Sequence, residues 1–144
     1  MNGDDLNEMG PIDYVLVEWP GQQPTGEALP HLVDLVDRGL IRIIDLTFIT
    51  KGEDGSVAMV EIADLGDEIA VFEGASSGLL HDDDIAQAGE VLEPGTSAAL
   101  LVYENAWAGP FAGAVRRSGG QLVASGRIPA EDFLAALDAA EATA

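Results

Sequence analysis

The stretch from residue 103 to residue 107, with the sequence YENAW, carries the side chains best suited to binding. It brings together two aromatic rings, a carboxylate and an amide, on Tyr103, Glu104, Asn105 and Trp107. Tyrosine and tryptophan offer flat contact area with one polar tip each, which suits a ligand pocket or a subunit interface. A structural role also fits, in which Asn105 caps a helix while Tyr103 and Trp107 pack in the core. The sequence leaves these three roles open.

Two arginines, Arg116 and Arg117, stand at the predicted end of the following helix. They are two of only six basic residues, set against 26 acidic residues in a chain of net charge −20. The negative end of the helix dipole and salt bridges at the rim would account for them. The alternative is that they pair with an acidic patch on a second copy of the chain.

The residues that usually carry catalysis or hold metals form no recognised pattern. The chain has no cysteine, which excludes thiolate metal sites and a thiol nucleophile. His31 and His81 lie far apart and belong to no Ser-His-Asp or His-Glu-x-x-His arrangement. The consecutive carboxylates 82–84 point in different directions, and helix capping explains them. We therefore predict no catalytic residue, no metal site and no cofactor.

The charge also limits the possible partners. A surface this acidic repels nucleic-acid phosphates and anionic lipid headgroups, so we expect neither nucleic acid nor membrane as a partner. The first ten residues are polar and acidic, unlike a signal peptide, and no window approaches the ~20 apolar residues of a membrane span. The expected location is cytoplasmic.

Apolar periodicity predicts an alternation of strands and helices around these residues. The predicted strands are 12–19, 41–50, 57–62, 98–103 and 121–125, and the predicted helices are 29–40, 65–73, 82–92, 105–117 and a last one from 129. Strand 12–19 is apolar on both sides, which suits a strand whose two faces are at least partly covered. The loop 51–55 predicts a hairpin, and glycines at 39 and 119–120 predict helix ends.

The side chains that should face inward follow from the same periods. In helix 105–117, apolar residues recur at helical spacing at Trp107, Phe111, Ala114 and Val115. Gly109 and Gly113 would let this helix lie close to its neighbour. In the last helix, Phe133, Leu134 and Leu137 are expected to point inward.

This order of elements predicts an α+β fold of the ferredoxin-like sandwich type. We expect a mainly antiparallel sheet with its helices on one face, so that the other face stays open unless a second chain covers it. The expected organisation is a flexible tail over residues 1–10, a single domain over 11–138, and a helix end over 139–144.

The chain resembles a family of small actinobacterial proteins classed as a domain of unknown function, over about residues 10–137 and most specifically over residues 78–129. That family in turn resembles a broader bacterial family, often labelled a membrane protein, which carries a long Gly- and Ala-rich apolar hairpin before an acidic turn and a helix. The motifs Asp82-Asp83-Asp84-Ile85 and Glu93-Pro94-Gly95-Thr96-Ser97-Ala98 match its later parts. Only residues 74–78 stand in place of the apolar hairpin, which argues against membrane association. The resemblance supports the fold and implies no catalytic residues.

We therefore predict a non-enzymatic protein that acts by self-association, as a homo-oligomer, or by binding a protein partner. The alternative is a regulatory domain that binds a small molecule at the corner formed by residues 103–107. A third possibility is a cofactor-free enzyme of the ferredoxin-like type, which fold alone cannot establish.

Overall fold

A computed structural model of the protein describes residues 9–20, 27–60 and 81–143. In these ranges the chain forms four strands and four α-helices. They are β1 (Ile12–Pro20), α1 (Leu29–Asp37), β2 (Arg42–Lys51), β3 (Val57–Val60), α2 (Asp82–Glu90), β4 (Thr96–Glu104), α3 (Gly109–Arg117) and α4 (Ala130–Thr143). A short 3-10 helix, Ala106–Ala108, connects β4 to α3. The predicted α+β class is confirmed.

The four strands form one antiparallel sheet in the order β1-β4-β2-β3. β4 lies between β1 and β2 and pairs with both from Thr96 to Glu104. β1 and β2 are therefore parallel to each other and are connected through α1, with β4 inserted between them. This is a split β-α-β unit, the building block of ferredoxin-like folds. The predicted antiparallel sheet is confirmed, and the arrangement of its elements agrees roughly with the ferredoxin-like type.

The helices pack on both faces of this sheet, which differs from the expected single face. The consecutive residues Phe48 and Ile49 of β2 point to opposite sides and lie in two separate core clusters. On the side of Phe48, the core also holds Leu46 and Ala99 and is covered by Leu29, Leu32 and Val33 of α1. On the side of Ile49, it holds Ala98, Leu92 and Ile85, the last of these from α2. Each face needs its own helix because the strands carry apolar residues on both sides.

The predicted glycine stops are confirmed. At the end of α1, Gly39 takes a positive φ of 71°, which a side chain would disfavour. Its N–H donates to the carbonyl oxygen of Val36, and the N–H of Leu40 donates to that of Leu35, both at 3.0 Å. This pair of bonds is a Schellman motif, and Gly119 ends α3 in the same way.

The predicted hairpin of β2 and β3 is also confirmed. The N–H of Gly52 donates to the carbonyl oxygen of Ser56 (2.8 Å), and Gly55 supplies a positive φ of 85°. The Asp54 carboxylate accepts from the hydroxyl (2.6 Å) and the N–H (3.0 Å) of Ser56. These two bonds, the hydroxyl first, lower the pKa of Asp54 below its ordinary value.

Polar groups hold both ends of α2. At its start the Asp84 carboxylate accepts from the N–H of His81 (2.9 Å), as expected for an acidic run that opens a helix. At its end the ammonium of Lys51 donates to the carbonyl oxygens of Gly89 (2.9 Å) and Leu92 (3.0 Å). The strand β2 thereby supplies the cation that the helix end lacks in its own sequence.

The predicted strand at residues 121–125 is not formed. Residues 120–129 have no regular secondary structure, and their side chains are exposed. Leu122 and Val123 are 78% and 87% exposed. A strand needs a neighbouring strand to pair its N–H and C=O groups, and among the described strands none pairs with this segment.

The chain divides into two compact units, Met1–Ala114 and Val115–Ala144. The second unit contains α4, where the expected inward positions Phe133, Leu134 and Leu137 are exposed instead. The helix predicted at 65–73 falls wholly outside the described residues.

Candidate functional site

The carboxylate of Glu104 is the centre of a polar cluster at the end of β4. Glu104 is buried. Its Oε1 accepts from Nε of Arg42 (2.7 Å), and its Oε2 accepts from the N–H of Gly10 (2.9 Å). Both carboxylate oxygens are therefore engaged, one by a neighbouring strand and one by the segment that leads into β1. We call the set Gly10, Asp13, Arg42, Glu104 and Asn105 the β4-end cluster.

Opposing effects act on the ionisation of Glu104. Burial alone would raise its pKa, because a carboxylate loses hydration inside the protein. The hydrogen bond from Arg42, the bond from the Gly10 N–H and the positive charge of Arg42 outweigh burial, so the pKa lies below its ordinary value. Glu104 is therefore ionised at neutral pH and is held as an ion-pair partner.

Asn105 binds the start of β1 instead of capping a helix. It precedes the 3-10 helix, but its side chain makes no capping bond. Nδ2 of Asn105 donates to the carbonyl oxygen of Pro11 (3.0 Å) and to Oδ2 of Asp13 (2.9 Å), and its N–H donates to Pro11 as well (2.8 Å). These acceptors are close because β1 runs antiparallel to β4 and starts where β4 ends.

The two aromatic residues of the YENAW stretch have different surroundings. Tyr103 is half-buried in the sheet, where its register partners are Asp13 on β1 and Ile43 on β2. Trp107 is 61% exposed, and its backbone N–H donates to the carbonyl oxygen of Leu40 (3.2 Å). A core position for Trp107 is therefore excluded in this structure, while its interface role remains a prediction.

The apolar stripe expected along α3 does not face inward. Phe111, one helical turn beyond Trp107, is 70% exposed, and the buried positions of the helix are Gly109 and Gly113. The helix thus buries its glycine side, as expected for close packing, and leaves the ring of Phe111 exposed. Large exposed apolar side chains of this kind are typical of contact surfaces.

Arg116 and Arg117 lie in the last turn of α3 and are exposed. This placement agrees with the attraction of cations to a helix C-terminus. Their pairing with an acidic patch on a second copy stays a prediction.

Arg42, Gly10 and the buried Asp45 are not among the site residues predicted from the sequence. The partners Arg42 and Glu104 lie 62 residues apart, and no local pattern connects them. Asp45 is 1% exposed in the middle of β2 and accepts from the hydroxyl of Thr47 (2.6 Å). A Thr two residues after an Asp in an apolar strand could have indicated this bond, because both side chains then lie on the same face of the sheet.

The β4-end cluster binds chain segments together, since the Glu104 carboxylate and the Asn105 amide both have partners within the chain. Among residues 9–20, 27–60 and 81–143, no group of three or more His, Asp or Glu side chains could hold a metal ion. None of the helices in those ranges has the length and apolar character needed to cross a membrane.

The chain belongs to a family described as "Family of unknown function (DUF6325)", whose model matches residues 8–143. This confirms the resemblance to a family of unknown function. The actinobacterial origin and the relation to the broader bacterial family stay predictions. Comparison with curated proteins and with solved structures gave no match.

Proposed function

We propose that the protein acts by associating with a second copy of itself. The observation that carries this proposal is the exposure of large apolar side chains throughout the second unit. The exposed side chains are Leu122, Val123, Ile128, Phe133, Leu134 and Leu137. Apolar area left in water costs free energy, so a segment that exposes six such residues gains stability from a partner surface.

The route to association differs from the one expected from sequence. An open sheet face was expected to attract the second copy, but α1 and α2 cover opposite faces. The apolar surface available for contact lies instead on α3 and on the second unit. Phe111 on α3 and Phe133 on α4 are the kind of aromatic side chain that is enriched in interfaces.

The small-molecule alternative has less support. Of the side chains expected to form that site, Glu104 and Asn105 already bind the segment that leads into β1. A ligand at this corner would have to displace those bonds or use only the exposed ring of Trp107.

Sedimentation velocity of the full chain tests the proposal. We expect a species of about twice the 15.0 kDa chain mass at micromolar concentration and moderate salt. The double variant Phe133→Asp/Leu134→Asp should weaken association by about 100-fold or more, because it places two charges in an apolar contact. Val91→Asp is the control, since Val91 is also an exposed apolar residue but lies at the end of α2. A wild-type chain that stays monomeric at high concentration would refute the proposal.

A further inference from the structure

We propose that residues 121–125 of one copy add as a fifth strand to the free edge of β1 in a second copy. This rests on the proposed self-association and names the surfaces that meet. The segment has the composition of a strand, and the structure leaves it exposed and unpaired by any described strand. A conflict of this kind between local sequence and structure is expected where a contact is supplied by a partner.

The acceptor is the edge of the sheet formed by β1. Among the described strands, β1 pairs only with β4, so its other edge carries N–H and C=O groups able to pair with an added strand. β1 is nine residues long, which accommodates a five-residue segment.

β1 and residues 121–125 both carry exposed apolar side chains that would lie on the two faces of the extended sheet. Tyr14 is 71% exposed and Val17 is 44% exposed, and they point to opposite faces of the sheet because their positions differ by an odd number. Leu122 and Val123 are consecutive, so in a strand they too would point to opposite faces. A strand added beside β1 therefore places one apolar side chain of the segment next to an exposed apolar side chain of β1 on each face.

Charge complementarity indicates that the acceptor is another copy of this chain. Residues 115–129 contain three arginines and no acidic residue, a net charge of +3. The first unit, residues 1–114, contains 22 acidic and three basic residues, a net charge of −19. Each copy thus carries both a basic donor segment and an acidic acceptor unit, so two copies can exchange segments in a closed symmetric dimer.

Cysteine cross-linking tests this pairing directly, because the wild-type chain has no cysteine. One copy carries Val123→Cys, and the second copy carries a single cysteine at one of positions 13–18 in turn. A disulfide requires Cβ atoms about 3.5–4.5 Å apart. We expect the heterodimer to cross-link most strongly at one position of β1, the residue directly opposite position 123. Cysteines at the positions next to it should not cross-link, because their side chains point to the other face of the sheet. Met59→Cys on β3 is the control and should not cross-link.

The results of sedimentation and cross-linking together distinguish strand addition at β1 from self-association through another surface. A dimer by sedimentation that cross-links through Met59→Cys, or through no position of β1, would overturn the strand addition and leave self-association standing. A disulfide that forms only within one chain, when both cysteines are placed in the same copy, would also overturn it. A monomeric wild-type chain would refute both.

Salt tests the attraction between the basic segment and the acidic unit. We expect the dissociation constant of the wild-type dimer to rise by about tenfold between 50 and 500 mM NaCl, because salt screens attraction between unlike charges. The triple variant R116Q/R117Q/R127Q should dissociate more readily at low salt and lose most of this salt dependence. R38Q is the control, since Arg38 is an exposed arginine directly after α1. An equal salt dependence in the triple variant would contradict the charge argument.

Discussion

Replacing Glu104 by glutamine should destabilise the protein by removing the charge that holds two segments at the end of β4. Glutamine keeps the shape but offers a single carbonyl oxygen, so one of the two donors now faces an NH2 group. A hydrogen bond to a charged group contributes about 1.5–3 kcal/mol, and the half-exposed Arg42 contributes at the lower end because water screens it. We expect Glu104→Gln to lower the free energy of unfolding by about 2–3 kcal/mol at pH 7, or Tm by about 8–12 °C.

The pH dependence of this loss follows from the lowered pKa of Glu104. A carboxyl group whose pKa is lower in the folded state stabilises the fold fully above its unfolded pKa, near the ordinary value of 4.5. That contribution is lost as pH falls through the folded-state pKa, which lies below 4.5. The difference between wild type and E104Q should therefore stay constant from pH 7 to about 5.5 and shrink below about 4.5.

Urea denaturation of both proteins across this pH range measures the difference. The control is Glu90→Gln, which removes an equal charge from an exposed position on α2. We expect the control to change the free energy of unfolding by less than about 0.5 kcal/mol. The stabilising role of Glu104 is refuted if E104Q behaves like the control at pH 7, or if its loss of free energy of unfolding is unchanged at pH 3.

Two further substitutions test the packing around the same strands. Gly10→Ala should lower the free energy of unfolding by about 1–3 kcal/mol, because the added Cβ would overlap the carbonyl of Asn105. Gly126→Ala, at a position with open space, should be near neutral, and equal urea midpoints for the two would contradict this account. Lys51→Met should cost about 1–2 kcal/mol by removing the ammonium that donates to the carbonyl oxygens of Gly89 and Leu92 at the end of α2. Arg38→Met removes only an exposed i,i+4 pair, so thermal melts in which both variants lose the same stability would contradict the capping role.

The sequence already indicates that helices cover both faces of the sheet. Strand 12–19 is apolar on both sides, which favours helices on both faces over the single face expected from a ferredoxin-like sandwich. The exposure of Phe111 does not follow from the sequence pattern. Helical spacing identifies an apolar stripe, but α3 buries Gly109 and Gly113, which contribute no hydrophobicity to such a pattern.

The local features of this protein were determined by the sequence alone. The hairpin turn around Gly55, the acidic start of α2 and the glycine stop at Gly39 depend on hydrogen bonds and backbone angles within a few residues. Those interactions are nearly independent of the rest of the chain, so residue type predicts them.

Only the tertiary structure decided which distant segments meet. The position of β4 between β1 and β2, and the ion pair of Arg42 with Glu104 across 62 residues, depend on which pairing buries the most apolar area with its polar groups satisfied. Residues 121–125 show most clearly what the sequence alone does not determine. Their composition favours a strand, but a strand forms only where a neighbouring strand supplies the hydrogen bonds, and the sequence of the segment does not specify that neighbour.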